Sequence, residues 1–515
     1  MIKQSIFKRI KANIAEDGKL SQDFDLERPK APNEMKFAPG SMDGAGIFNH
    51  YNLEERVDKA TQIEKLIKNH IRKGNKAYIK ELETIFNDLR AIEVVDSLLQ
   101  GLRDTHDDIE PLQIFEFGYN LVKTNTEPEL VKIGISLLGL FDLGEHESIK
   151  DIVVTLALCD EFTLYSVVAA SNWSNGNDII FSIAKLVDGW GKIHAVERLE
   201  PETAEIQEWI LYEGCPNNIM DAYLGLPCAV KGDMISALRQ NTINSKLYKK
   251  IAVIIDALLD EGPVPGISEY EHASEAMHLF MSHSIIHAEE LKDLWHILNV
   301  QMWAFESELS SKDYVLSKCD EIISRPHWRE MILNTVSNSH DDSMLFYATN
   351  AASRMEFDIL DELFLRVKAN PIKHLSHIQS LFKNPGITIE LIGIYESVLP
   401  LNEMADGMGD YLFSKKYRDE YRCLDFLLPE LASYPLHGML LIKTGLNCRV
   451  VRNRNMACRA LIGWVKKLSK SLADISPELY SELKRICENE IKVNTKELMS
   501  TLLSGDIENI VSQDI

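Results

Sequence analysis

The sequence lacks a long apolar run, a strand pattern, positive charge and a cysteine framework, and each shortage excludes something. No stretch of its 515 residues approaches the roughly twenty apolar residues that cross a bilayer, so no membrane span is expected. Sustained alternation is absent, and no Asn-Gly turn separates alternating runs, which leaves no signal for a sheet. Lys and Arg number 55 against 78 Asp and Glu, a formal net charge of −23. That balance opposes any general affinity for nucleic acid or an anionic membrane. The eight cysteines are scattered from Cys159 to Cys487 without a Cys-x-x-Cys pair. They read as reduced, mostly buried thiols, and with them the expected setting is cytoplasmic. The first residues carry Lys3, Lys8, Arg9 and Lys11 but no apolar core of signal-peptide length. Catalytic signatures are missing too: no Gly-x-x-x-x-Gly-Lys phosphate loop, no Gly-x-Ser-x-Gly elbow, no His-Glu-x-x-His.

What the chain does have is helical periodicity with frequent stops. Its best-patterned stretch, Trp173 to Cys228, contains Gly-Trp-Gly-Lys-Ile-His-Ala-Val-Glu-Arg-Leu from Gly189 to Leu199. Ser174-Asn175-Gly176 opens a helix carrying Ile179, Ile180, Ile183, Ala184 and Val187, with Asn177 or Asp178 as its expected cap. A second helix from near Trp190 is closed by Pro201. A third, with Ile206, Trp209 and Ile210, stops at Gly214, and a fourth starts from Asn217 or Asn218. Short amphipathic helices, each with its own stop, are the unit of a helical repeat array.

Around that stretch the organisation falls into three parts. Residues 1–52 read as a helix over Ile2 to Ile14 followed by a Pro- and Gly-rich loop. Residues 53–261 read as a first helical array and 267–515 as a second, continuous with it, divided at Gly262-Pro263-Val264-Pro265-Gly266. Val450 begins a helix whose Ala457, Ala460, Leu461, Trp464, Val465 and Leu468 form an apolar stripe.

The run Val451-Arg452-Asn453-Arg454-Asn455-Met456-Ala457-Cys458-Arg459-Ala460-Leu461 resembles the second helix of a HEAT repeat, and Ile193 to Leu199 resembles it less closely. The fold expected is therefore all-α, an α-solenoid of HEAT-like helix pairs with an irregular N-terminal segment.

Several constellations could carry chemistry. His194, Glu197 and Arg198 lie within one helical turn and could line a binding face, together with Arg452 and Arg454 on the basic helix. The plainer reading is a set of ion pairs fixing one repeat on the next. His283 and His287 at i, i+4, with Glu290 at i+7, offer the two imidazoles and carboxylate of a non-haem iron site. Helical histidines are more often structural, and such a ligand set is rarely drawn from one helix. Gly40, Gly44 and Gly46 have the Gly-x-x-x-Gly-x-Gly spacing of a dinucleotide-binding loop, and Tyr411 and Lys415 the Tyr-x-x-x-Lys spacing of short-chain dehydrogenases. No buried strand precedes Gly40, so coincidence in a glycine-rich loop is the simpler account.

Taken together, Gly189 to Leu199, the Glu-Trp-Ile-Leu-Tyr-Glu-Gly-Cys segment from Glu208 to Cys215 and the Val-Arg-Asn-Arg-Asn segment resemble a group of bacterial proteins named limonene hydroxylase. The resemblance implies oxidation of the monoterpene limonene to perillyl alcohol and carveol, with NAD-dependent oxidation of those alcohols. It assigns no catalytic residue or redox cofactor here, though NAD becomes a possible one. Iron-binding HEAT hydroxylases carry repeated His-Glu dyads, whereas this chain has only His146-Glu147. Two functions are thus expected: an oxidoreductase acting on a small apolar substrate, or a non-catalytic scaffold holding a protein partner on its concave face.

Overall fold

The structure is a computed structural model that describes residues 4–26, 37–104, 109–262, 264–409 and 417–505. Among these residues the chain is all-helical, and its only β contact is an isolated antiparallel bridge between Ile14 and Leu20. No helix among them is long and apolar enough to cross a membrane. The chain divides into two compact units, Met1–Arg325 and Pro326–Ile515. The boundary expected at Gly262–Gly266 falls inside the first unit, because the helices on either side of it pack on each other.

In the first unit, α1 (Ile6–Lys11) is shorter than its sequence pattern suggests and is capped by Ser5. The stretch expected to be loop contains a second helix, α2 (Ser41–Ile47). Next come α3 (Val57–Lys73), stopped by Gly74 in the left-handed conformation, α4 (Ala77–Ile85) and α5 (Val95–Asp104). Both α6 (Pro111–Thr124) and α7 (Pro128–Leu138) open on a proline, whose missing N–H costs nothing in a first turn. Then follow α8 (Glu147–Ala157), α9 (Asp160–Ala170), α10 (Gly176–Ala184) and α11 (Gly189–Arg198).

Thr203 caps α12 (Ala204–Trp209), which widens into a π turn over Ile210–Gly214. The helix expected to start at Asn217 or Asn218 begins later, as α13 (Ala222–Lys231), because the Asn217 side chain instead closes a turn onto Ile219 and Met220. The unit is completed by α14 (Met234–Leu238), α15 (Ser245–Leu259), α16 (Ala273–His287), α17 (Leu291–Glu306) and α18 (Lys312–Ile323).

Packing in this unit runs between sequence neighbours. α6 pairs with α7, α8 with α9 and α10 with α11; in turn α7 meets α9, α9 meets α11, α11 meets α13, α13 meets α15 and α15 meets α17. Phe162, Val167, Ile193, Tyr248 and Phe280 are buried along this row. Nearly every residue of α7 is buried, including Glu129 and Lys132, which explains the density of its apolar run.

The second unit begins with α19 (His327–Asn338), α20 (Asp342–Arg354), α21 (Leu360–Ala369), α22 (Ile378–Leu381), α23 (Pro385–Val398) and α24 (Leu401–Met404). It continues with α25 (Arg418–Leu431), α26 (Met439–Leu446), α27 (Val451–Leu468), α28 (Leu472–Ile475), α29 (Pro477–Asn489) and α30 (Val493–Ser504). α25, α26 and α30 surround α27 and bury Ala457, Ala460, Leu461 and Trp464; its stripe ends there, since Leu468 is exposed. All eight cysteines of the chain are free and buried.

Candidate functional site

Two of the sequence's glycine-rich stretches, Gly40–Gly46 and Gly189–Gly191, meet in the structure. α2 lies against α9 and α11, and the glycines are what let it approach. A Cβ on Gly44 would overlap the Trp190 ring, and one on Gly40 would collide with the Asp160 carbonyl. Gly40 also takes φ 71°, a left-handed conformation that other residues enter at a cost. The Gly-x-x-x-Gly-x-Gly spacing is therefore a helix-packing surface: no strand precedes it among the described residues, and the Trp190 ring lies against Gly44.

Beneath α2 a cluster of charge is shut away from water. The Lys132 ammonium reaches Asp43 of α2 at 2.7 Å, Glu161 of α9 at 2.7 Å and Glu129 of its own helix at 3.1 Å. Three N–H groups thus meet three carboxylates. Glu129 also accepts from the Ala91 N–H, Glu161 from the Gly40 N–H, and Asp43 from the Tyr165 hydroxyl. Burial works against the Lys132 charge, but its carboxylates outweigh that and hold the amine protonated well above the usual range. Burial likewise raises the Asp43 carboxyl; Lys132 pulls it back, and Glu129 and Glu161 push it up again. The Asp43 Oδ1 atom has no hydrogen-bond partner, nor has the buried Ser41 hydroxyl on the same helix.

The Gly-Trp-Gly motif forms a second acidic contact. Backbone N–H groups of Trp190 and Gly191, at the start of α11, hold the Asp160 carboxylate. A Cβ at Gly189 or Gly191 would press on that carboxylate, so both positions favour glycine. Burial nevertheless pushes Asp160 up to about 7, and the Asp188 charge adds to the rise.

Beyond α2 an aromatic group continues the contact. Phe48 sits 4.7 Å from Tyr223 of α13 and 6.2 Å from Trp190, ring centre to ring centre, and His50 hydrogen-bonds the Tyr223 hydroxyl. His194 stacks on Trp190 and Phe48 at 6.1 and 6.4 Å. Neither of its ring nitrogens has a partner, and burial, followed by the Arg198 charge, pushes it down to about 3. The imidazole is neutral across the physiological range. Residues 37–51 therefore lie across a face made by α7, α9, α11 and α13.

The structure separates most of the other residues that the sequence groups. Glu197 and Arg198 are half-buried; Arg198 bonds the His194 carbonyl, and Lys231 bonds the Glu197 carbonyl. His194 is buried in the aromatic group, so it joins an open binding face with neither of them. The three groups of the proposed metal site also diverge. α16 ends at His287, and Glu290 is the first cap of α17, where it pairs with Lys249. His283 bonds the Leu238 carbonyl and His287 stacks on Tyr248. Among the described residues no three His, Cys, Asp or Glu side chains converge as metal ligands would.

Arg452 is exposed beside Asp425, whereas Arg454 corrects the idea of a basic binding face. Its guanidinium is fully buried and grips Glu490 through two bonds, at 2.7 and 2.9 Å. Tyr411 and Lys415 lie outside the described residues.

Two clefts complete the picture. One in the first unit, of about 580 Å³, is lined by His70, Lys80, Glu83, Glu116, Phe117 and Asn120. The other, in the second unit, of about 480 Å³, includes Glu396, Glu403, Lys443, Glu478 and Glu482. Both carry charges of each sign.

Lys132 and Glu129 belong to no motif of the sequence and Asp43 sits within Gly40–Gly46; only the fold brings the three together. A signal was present: a Glu and a Lys three residues apart inside an otherwise apolar run can be solvated only if they are paired. The chain matches no family model and no curated protein sequence.

Proposed function

We propose that this chain is a HEAT-like α-solenoid scaffold that binds another protein, with the face of α7, α9, α11 and α13 as its working surface. One observation carries the reading: that face holds a short segment, residues 37–51, with one helix between turns, by the contacts a bound peptide would make. Neighbour-to-neighbour packing from α7 to α17 is consistent with stacked helix pairs. Buried free thiols and the acidic balance suit a cytoplasmic protein.

Limonene oxidation, which the resemblance implies, asks for an enclosed apolar pocket. Of the two clefts described above, the first mixes Ile71, Ile79, Phe117 and Leu121 with Lys80, Glu83 and Glu116, and the second is rich in charged groups. Cross-linking mass spectrometry on the full chain in cells separates the two functions. The scaffold reading expects cross-links to a partner concentrated around α9, α11 and α13. Partner cross-links confined to other surfaces, or conversion of limonene to perillyl alcohol or carveol by the purified protein, would overturn it.

A further inference from the structure

We infer that residues 37–51 are a displaceable occupant of this face, and that the face takes in their place a partner's short helical segment with the same chemistry. That chemistry is a small residue facing Trp190, a carboxylate or amide one residue before it facing Lys132, and an aromatic ring four residues after it facing Tyr223. The inference rests on the scaffold reading and names the kind of ligand.

Three features together favour release of this segment. α2 spans only Ser41–Ile47, and a helix of seven residues does not persist in water alone. Its helicity therefore comes from docking, as in a peptide that folds on binding. Second, the docked contact leaves buried polar atoms without partners on both sides: Ser41 Oγ and Asp43 Oδ1 on the segment, both His194 nitrogens on the face. Each such atom weakens the contact that buries it.

Third, the face does not need Asp43 for charge balance. Lys132 keeps Glu129 and Glu161 when α2 leaves, and the third carboxylate adds negative charge to a site already negative. A neutral acceptor would satisfy the remaining N–H without that repulsion. Within the segment, α2 is flanked by exposed residues, Phe37 to Pro39 before it and Asn49 and His50 after.

The test uses the full chain and a labelled peptide covering residues 37–53. Gly44→Leu in the protein blocks α2 from seating against Trp190 and opens the face. The peptide should bind this variant about tenfold or more tighter than wild type, read by fluorescence anisotropy. Carrying the same Gly44→Leu change, the peptide should bind neither protein, and an Asp43→Asn peptide should bind at least as well as the parent. Equal binding to both proteins, or no binding to a variant that keeps its helical circular dichroism, would overturn the inference. Should Gly44→Leu not fold, Phe48→Ala decides, since it removes one anchor of the segment and leaves the face intact: peptide binding above wild type supports the inference, and none defeats it. If the peptide fails while partner cross-links still map to α9–α13, only this inference falls; if both fail, the scaffold reading goes with it.

Discussion

In the second unit Arg454 and Glu490 match one buried cation to one buried anion; in the first, Lys132 is equally buried but faces three carboxylates. The Arg454 Nη1 group donates to the Cys448 carbonyl, and Glu490 also accepts the N–H groups of Ile491 and Lys492. Each side-chain nitrogen and oxygen of the pair has a partner. At Lys132 the balance is negative, and Asp43 keeps one oxygen without a partner. Removing one member of a satisfied buried pair strands a charge, while removing a surplus carboxylate relieves one. The comparison teaches that burial alone does not mark a structural ion pair. Charge count and satisfaction separate a fixed joint from a releasable one.

The largest expected effect breaks the pair in the second unit. Glu490→Gln or Arg454→Met should each cost about 3–5 kcal/mol in urea unfolding, and Arg454→Met combined with Glu490→Leu should recover most of it. Asp43→Asn should instead stay within about 1 kcal/mol of wild type or exceed it, because the amide still accepts from Lys132. Equal losses for Glu490→Gln and Asp43→Asn would erase the distinction.

Next in size is the pH dependence at Asp160. Its folded value of about 7 lies above its unfolded one, so the folded state keeps the proton longer. The stability it contributes is full below about pH 4 and is lost as pH rises towards 7. Allowing for partial exposure, wild type should lose about 2 kcal/mol relative to Asp160→Asn between pH 5 and 8. A constant difference across that range would remove burial as the cause.

His194 should act in the opposite direction and less strongly. Its folded value of about 3 is depressed, so its stability is present above the ordinary histidine range and is lost as pH falls below it. His194→Phe should therefore gain about 1–2 kcal/mol on wild type at pH 5, with a smaller gain at pH 7.5. Parallel curves for the two proteins would show that the ring titrates as if in water.

The sequence showed the all-helical class because spacing such as Ala457, Ala460, Leu461 and Trp464 is a local property of one helix. The stop at Gly214 was legible for the same reason, but the caps were not: α10 begins after Asn175, ahead of Asn177 and Asp178, and α13 begins beyond Asn218. The site was not, since it joins residues far apart in the chain: Asp43 to Lys132, Gly44 to Trp190, Phe48 to Tyr223. Glycine spacing in Gly40–Gly46 records close approach without saying to what, and a nucleotide and an indole ring leave the same imprint. Arg454 looked like surface charge because periodicity cannot tell an arginine pointing at water from one gripping a buried glutamate. The helix end at His287 was written in the Glu290 and Asp293 capping box, which places Glu290 in the next helix.

Native-state hydrogen exchange on the wild-type chain tests releasability most directly. The Gly44 and Phe48 amides bond to Gly40 and Gly44 carbonyls within the docked segment. The account predicts that they exchange through a local opening, about a hundredfold or more faster than buried amides of α9 and α11. Exchange of both groups at one common rate would contradict it, and would make residues 37–51 a fixed part of the first unit.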